Sequence, residues 1–488
     1  MRWTKPARKM KKIRNNISKY AVLLALTATP LVITSCRQEL DINVDPNNPS
    51  QASLSGLLSG SQVGFAFALG GEGTRMPASI VQHYAGHRAQ PLNYARYNIT
   101  SSATDGTWTA LYNALMDIKE LENKAAASGS QAYVGVSKLL QAHAFSVITD
   151  MFGDIPFSEA LQGRSNITPA YDKQENIYPA LIAMIDEGLT ALSAGTETIS
   201  GDIVYGGDVA KWKKYGNSLK LRLLNHLSSR QPNAAANFLA SNPSLIDTSV
   251  DDAKVAFGSV AANANPIYQF DVLSGRKDQA VASTIVDKMK ALSDPRVSVY
   301  FEPIVKNDNG LKGQYFGNTP GGSLGDTGQS RYSRVGSAYA SIKAPVVLMS
   351  AAEVNFIKAE VYHRASNAAS AQAAYEAAIT QDFAALGLSS SAAAYLANAN
   401  VAYNGTLQRI MEQKWITMFQ ASYESWVDWR RTGYPALTPA ARNVTSNVIP
   451  RNLPYPDVEI NSNRVNLVAG PGIPIPYTGL SNRVWWDN

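Results

Sequence analysis

"VVLMSAAEVNFIKAEVYHRAS" (346–366) runs directly into "NAASAQAAYEAAITQDFAALG" (367–387). In both segments apolar residues return every three or four positions, the period of a helix with one buried face. A short turn around Asn367 separates them, and the second segment is rich in small residues that let helix backbones approach closely. Two helices joined in this way form a hairpin. Hairpins stacked at a period of roughly 34 to 40 residues make a tetratricopeptide-type array.

The same pattern recurs, in degenerate form, elsewhere in the chain. "GTWTALYNALMDIKELENKAAA" starts at Gly106 and aligns Trp108, Leu111, Tyr112, Leu115 and Ile118 on one face. A second helix is predicted from Gln131 to a stop at Gly153, and others over 176–195 and 209–230. The fold class that follows is mostly α, a tetratricopeptide-like scaffold of helix pairs. Between the helices, 73–105, 260–345 and 432–488 read as long irregular stretches rich in Gly, Asn, Ser, Pro and Tyr. Loops of that length in a compact protein carry function or are disordered, and their tyrosines argue against disorder.

Composition bounds the function. The chain has 488 residues, 45% of them apolar and 17% charged, enough for a large core that needs no staples. The formal charge of +6 belongs to the first 35 residues, which hold eight Lys and Arg and no acid. Without those eight, 36 basic residues face 38 acidic ones, a net of −2. A body with no basic surplus is not a nucleic-acid binder.

The eight charges precede "AVLLALTATPLVI" (21–33), an apolar run of 13 residues. It is short for a bilayer span and suits a signal peptide. Thr34 and Ser35 then lead into Cys36, the only cysteine of the chain. A lone thiol cannot form an internal disulfide. The segment resembles a bacterial lipobox, in which the leader is cut before a cysteine that becomes the lipidated N-terminus. "RQELDINVDPNNPS" (37–50) is polar and reads as a tether. The expected organisation is a signal peptide over 1–35, lipidated Cys36 and tether over 36–50, and a binding domain over 51–488. The sequence holds no later run of 18 apolar residues to span a membrane.

Catalytic patterns are weak. "GGSLG" (321–325) fits G-x-S-x-G but lies in a glycine-rich loop, without the strand and helix of a nucleophile elbow. His83 and His87 have the spacing of two ligands on one helix face, yet no glutamate lies between them and no third ligand is evident. Glu353, Glu360 and Glu412 fall on predicted helices, where a salt bridge is the ordinary role. No phosphate loop or dinucleotide fingerprint is present. The loops instead collect aromatic rings: Tyr84, Tyr94 and Tyr97, then Tyr268 and Phe270, then Tyr315, Phe316, Tyr332 and Tyr339. Rings offer a large, rigid contact area to sugars or peptide side chains. Arg88, Arg96 and Arg276 sit among them as hydrogen-bond donors. The ligand-binding candidates are therefore Tyr84, Tyr94, Tyr97, Tyr268, Phe270, Tyr315, Tyr332, Arg88, Arg96 and Arg276.

Several longer motifs resemble one family. "DMFGDIPFSEAL" (150–161), "LMSAAEVNFIKAEVYHR" (348–364) and "IMEQKWITMFQASYESWVDWRRTGYPAL" (410–437) are similar to signatures of the SusD/RagB outer-membrane nutrient-binding lipoproteins. "RNLPYPDVEINSNRVN" (451–466) and "RVWWDN" (483–488) resemble the SusD-like 2 type. The resemblance runs in order from the lipobox to the C-terminus. It implies a helix-pair scaffold with ligand-binding loops, anchored by lipid at the cell-surface face of the outer membrane. It also implies a lid over a SusC-like TonB-dependent β-barrel transporter, capturing glycans, with oligopeptides as the rival ligand. A surface glycoside hydrolase or esterase is the third reading. No cofactor and no catalytic residue is implied, although "KNDNG" (306–310) has oxygen ligands for a structural calcium ion. The tryptophans of 410–437 (Trp415, Trp426 and Trp429) read as near one face of a single C-terminal helix, its end capped or braced by Asp428, Arg430 and Arg431.

Overall fold

Short links and well-capped ends decide how the helices pair. The computed structural model describes residues 52–305, 310–322, 331–473 and 479–487. The leader, Cys36, the tether, Ser323 of "GGSLG" and residues 306–309 of "KNDNG" lie outside the described residues. From Ser53 onward the chain forms one compact unit.

The first helices are α1 (Leu54–Gly70), α2 (Glu72–Ile80), α3 (Ala89–Ala95), α4 (Ser101–Ala127) and α5 (Gln131–Phe152). Next come α6 (Gln174–Ala194), α7 (Val209–His226), α8 (Ala234–Ala240), α9 (Ser283–Ala291), α10 (Val297–Tyr300) and α11 (Ser337–Ala340). The chain closes with α12 (Ala351–Arg364), α13 (Ala368–Ala385), α14 (Ser389–Leu396), α15 (Leu407–Thr417), α16 (Ser422–Thr432), α17 (Asp457–Ser462) and α18 (Arg464–Ala469). Consecutive helices pack on one another, α4 on α5, α5 on α6, α6 on α7 and α12 on α13, with α1 also against α4 and α7 against α12. This is the helix-pair scaffold expected of a tetratricopeptide-like array. Strands are two to four residues long and form two-stranded antiparallel pairs.

Local chemistry sets the ends. Asn367 caps α13 by accepting from the Ser370 N–H at 3.1 Å, so the predicted turn is a helix N-cap. Asp208 does the same for α7 through Lys211, at 3.1 Å. Gly153 ends α5 with φ +83°, a conformation that favours glycine. α5 and α6 approach closely at Gly135, where a Cβ would stand 2.8 Å from the Gly188 carbonyl oxygen. α6 is long and apolar enough to cross a membrane by composition, yet Ile177, Tyr178, Leu181 and Ile185 are in the core.

The structure departs from the sequence reading in five places, one of them the stretch 432–488, read as irregular, which carries α17 and α18. Val346–Met349 is a strand paired with Ala253–Val255, not the first turn of a helix. The β-branched pair prefers the extended form, and Ser350 caps the helix that follows by accepting from the Glu353 N–H. Residues 73–105 contain α2 and α3, and α4 begins at Ser101, one turn before Gly106. The stretch 260–345 also carries α9, α10 and α11. The predicted C-terminal helix is two helices, α15 and α16, separated by a 3₁₀ turn at Met418–Gln420. Trp415 and Trp426 therefore belong to different helices.

A buried network of charges ties the scaffold together. Arg222 of α7 donates through Nε and Nη2 to both oxygens of Glu353 on α12, at 2.6 and 2.7 Å. Its Nη1 faces His143 Nε2 of α5 at 2.8 Å. Burial, then the Arg222 charge, holds that imidazole well below its ordinary pKa. It is therefore neutral, accepts at Nε2, and donates from Nδ1 to the Tyr215 hydroxyl at 2.6 Å. Arg431 of α16 clamps Glu360 of α12 with both Nη groups, at 2.8 and 2.9 Å, and Nη2 also reaches Asp428. Lys414 of α15 holds the other Asp428 oxygen at 2.7 Å.

His226 is the one titratable hinge of this network near neutral pH. Its Nε2 lies 3.0 Å from Glu424 and its Nδ1 3.5 Å from Asp150. Burial alone would lower its pKa, but the two carboxylates outweigh burial and raise it to about 9. Its contribution to stability is therefore complete below pH ~6.5 and is lost as pH rises through about 9. The gap corresponds to roughly 3 kcal/mol. Thermal unfolding of wild type should show this extra loss of stability between pH 6.5 and 9, and His226→Gln should lack it. Parallel pH profiles of the two proteins would refute the charged imidazole.

Candidate functional site

Three segments far apart in sequence meet on one platform. Tyr84–Gly86 pairs with Gln279–Val281 in antiparallel register, Tyr84 opposite Val281. The Val281 N–H also donates to the Ser333 carbonyl, and the Ser333 N–H to the Phe316 carbonyl. The segments 84–97, 265–281 and 314–335 are thus stitched together through backbone hydrogen bonds. All ten ligand-binding candidates named from the sequence lie on these segments.

The platform is fixed to the scaffold by aromatic side chains. His83 donates from Nε2 to the Trp415 carbonyl at 2.9 Å and accepts at Nδ1 from the Ser422 hydroxyl at 2.8 Å. Burial lowers its pKa to about 3, so it stays neutral. Trp415 Nε1 donates to the Val81 carbonyl at 3.0 Å. Phe419 stacks on Tyr300 at 5.2 Å and meets Tyr84 edge-on at 5.6 Å. His87 is engaged separately, through Nε2 and the Lys277 carbonyl at 2.9 Å. The two histidines hold the platform in place and share no common ligand position.

Burial divides the candidates. Tyr84, Tyr94, Tyr97 and Tyr332 are core residues, with 1, 2, 0 and 7% of their surface exposed. Their ring faces pack inside the protein and are not open to a ligand in this structure. Tyr97 accepts from the Ala440 N–H at 3.1 Å. Arg96 is likewise occupied, donating to the Gly321 carbonyl at 2.9 Å. Tyr268, Phe270 and Tyr315 are half-buried, and Phe316 is 43% exposed. Phe270 has the Arg75 guanidinium 3.6 Å and the Arg276 guanidinium 5.4 Å from its ring centroid. Phe316, named in the sequence reading but not among the ten candidates, lies parallel to Tyr332 at 6.3 Å. Arg75 lies in the stretch 73–105 read from the sequence as irregular, but it is not among the candidates, and the structure places it in α2.

Beneath the rings lie ion pairs. Asp278 accepts from Arg88 Nε at 2.5 Å and from Arg276 Nε at 3.1 Å. Arg334 pairs with Asp271, and Arg75 with Glu72. These pairs hold the guanidiniums in fixed orientations.

The clusters that could do chemistry elsewhere are closed. Asp150, His226 and Glu424 lie close enough together to suggest a metal site. The two imidazole nitrogens face different carboxylates, however, and Asp150 Oδ1 already accepts from Tyr178 at 2.5 Å and Trp486 Nε1 at 2.8 Å. Lone pairs that do not converge cannot share one ion. Glu353 and Glu360 belong to the buried network, and Glu412 pairs with Lys288 at 2.7 Å. Tyr97→Ala should therefore cost about 3–5 kcal/mol of stability, as for a buried Phe. Chemical denaturation reads this directly, and a change under 1 kcal/mol would contradict a core role.

Comparison with known proteins agrees with this architecture. The chain matches over residues 46–456 the model of the family SusD-like 2, described as starch-binding and associating with the outer membrane. A chitin-binding protein of known structure is 25% identical, covers 89% of this chain and 100% of its own, and superposes with a TM-score of 0.78. A chitin-binding SusD homologue from Flavobacterium johnsoniae is 26% identical, with 89% and 98% covered and a TM-score of 0.76. A SusD homologue from Bacteroides uniformis is 26% identical, with 88% and 99% covered and a TM-score of 0.73. No curated protein sequence matches the chain. With a family model spanning most of its length and a helix-pair scaffold carrying a loop platform, the chain belongs to the SusD-like 2 family.

Proposed function

We propose that this protein is a surface lipoprotein that captures glycans and passes them to a SusC-like TonB-dependent barrel in the outer membrane. The observation that carries the reading is the platform itself. Half-exposed rings (Tyr268, Tyr315 and Phe316) and oriented guanidiniums lie on three distant segments that backbone hydrogen bonds join. Flat rings stack on sugar faces, and oriented donors engage hydroxyls. Two similar structures named as chitin-binding support a glycan as the ligand. A binding role is supported by the two chitin-binding relatives, and among the described residues Glu353, Glu360, Glu424 and His226 are engaged by their own partners. Cys36 is the lipid attachment point, and residues 37–50 set the distance from the membrane.

Two measurements test this. Phe316→Ala and Tyr268→Ala should each weaken binding of an oligosaccharide ligand by about 1–3 kcal/mol, if stacking on sugars resembles stacking on bases. Calorimetry with chitin and starch oligosaccharides checks this, and unchanged affinities would place the site elsewhere. Cys36→Ala should move the protein from the membrane fraction to the soluble fraction; retention in the membrane would put the anchor elsewhere. Mass spectrometry of the tagged complex from native membranes identifies the partner. A barrel with short peptides in place of oligosaccharide would select the rival ligand.

A further inference from the structure

The platform holds more positive charge than a neutral sugar requires. Four cations, Arg88, Arg276, Lys277 and Arg334, lie on or beside the strand at Gln279–Val281 and its partners. The two carboxylates that pair with them, Asp271 and Asp278, are buried, with 4 and 5% of their side-chain surface exposed. With Glu302, the exposed residue opposite Arg334 in the antiparallel pair, four cations meet three acids and leave this face at +1, whereas the chain beyond the leader is −2 overall. The paired acids are buried while Arg88 and Arg276 reach solvent, with 35 and 45% of their side chains exposed.

Arg276 is built differently from the other guanidiniums. Its side chain is 45% exposed, and Nε is held by Asp278 at 3.1 Å. Its guanidinium lies over the half-buried Phe270 ring at 5.4 Å. Among the described residues neither Nη group has a hydrogen-bond partner. The carboxylate and the ring thus fix the plane of the fork and leave its outer pair of donors open. The Lys277 ammonium, also exposed, follows next in the chain. An oriented guanidinium with two free parallel donors matches a carboxylate or sulfate in bidentate geometry.

We infer that Arg276 is a bidentate oxyanion site and that the ligand is an acidic saccharide, bearing uronate carboxylates or sulfate esters. This rests on the glycan reading above and specifies its class. A free peptide carboxylate shares the chemistry, but the flat half-exposed rings on the same platform favour a sugar.

The test uses the full chain purified in detergent against immobilised polymers. The acidic ones are polygalacturonate, alginate and chondroitin sulfate; the neutral ones are starch, xylan and chitin oligosaccharides. Peptides with a free C-terminal carboxylate complete the set. The inference expects binding to at least one acidic polymer, weakened roughly 10- to 100-fold by Arg276→Gln, the range for a charge-assisted pair. Arg276→Lys should weaken it comparably, since it keeps the charge and loses the fork. Methyl esterification of a bound uronate polymer should abolish binding. Both variants should keep the wild-type thermal midpoint, because the side chain is exposed. Acidic binding that survives either substitution overturns the fork. Binding confined to neutral polymers overturns the acidic class and leaves the glycan reading standing. Binding only to the peptides, or to nothing in the set, overturns both.

Discussion

The Arg222–Glu353 pair is the interaction on which the rest of the scaffold depends. Both side chains are almost fully buried, and the guanidinium contacts groups on α5, α12 and α16 from its own position on α7. Removing one partner of such a pair leaves a naked charge in a low dielectric and typically costs 3–5 kcal/mol. The pair is not isolated. Glu424 faces both Arg222 and His226, His226 faces Asp150, and Asp150 accepts from Trp486 near the C-terminus. The helices can therefore pack in only one register without stranding a charge. Apolar packing supplies the stability, and the charges select the arrangement.

The motifs that mark the family are the members of this network. Asp150 comes from 150–161, Glu353 and Glu360 from 348–364, and Glu424, Asp428 and Arg431 from 410–437. Arg451 joins Asp487 of the terminal motif at 2.6 Å, and the Leu453 N–H bonds the Met151 carbonyl. Arg430 lies between the motifs, its guanidinium 3.9 Å from the Trp426 ring and 4.7 Å from Trp486. Five segments that are scattered in sequence converge on one buried centre. That is why they recognise a fold and say little of a ligand.

Much of the fold was legible because helix periodicity is local. α4, α5, α6, α7, α12 and α13 could be read from apolar spacing and capping residues. α2 could not, because Glu72–Ile80 interrupts its short amphipathic face with Pro77 and lies in a stretch whose Gly and Asn content suggests loop. The site was legible in outline only. The candidate residues lie on three segments that the fold joins, but exposure of a tyrosine depends on its neighbours across the fold. Tyr97 and Tyr315 both lie in tyrosine-bearing loops, yet one is fully buried and the other half-buried. Nothing within a few residues of either distinguishes them. The decisive contacts, such as Ala440 on Tyr97, come from more than three hundred residues away.

Two arginines show how one side chain serves both layers. Arg222 has its Nε and Nη donors spent on Glu353 and His143, and about 1% of its side chain reaches solvent. A fork closed in this way can only stabilise. Arg276 has the same Nε arrangement with a carboxylate, but its Nη pair faces outward from a ring that fixes its plane. The carboxylate that completes the buried fork comes from α12. At the platform the corresponding acid, Asp278, is buried and engages only the near edge. Orientation without saturation separates a binding arginine from a structural one. It depends on the buried acids being fewer than the cations beside them, a balance set by the platform and independent of the scaffold.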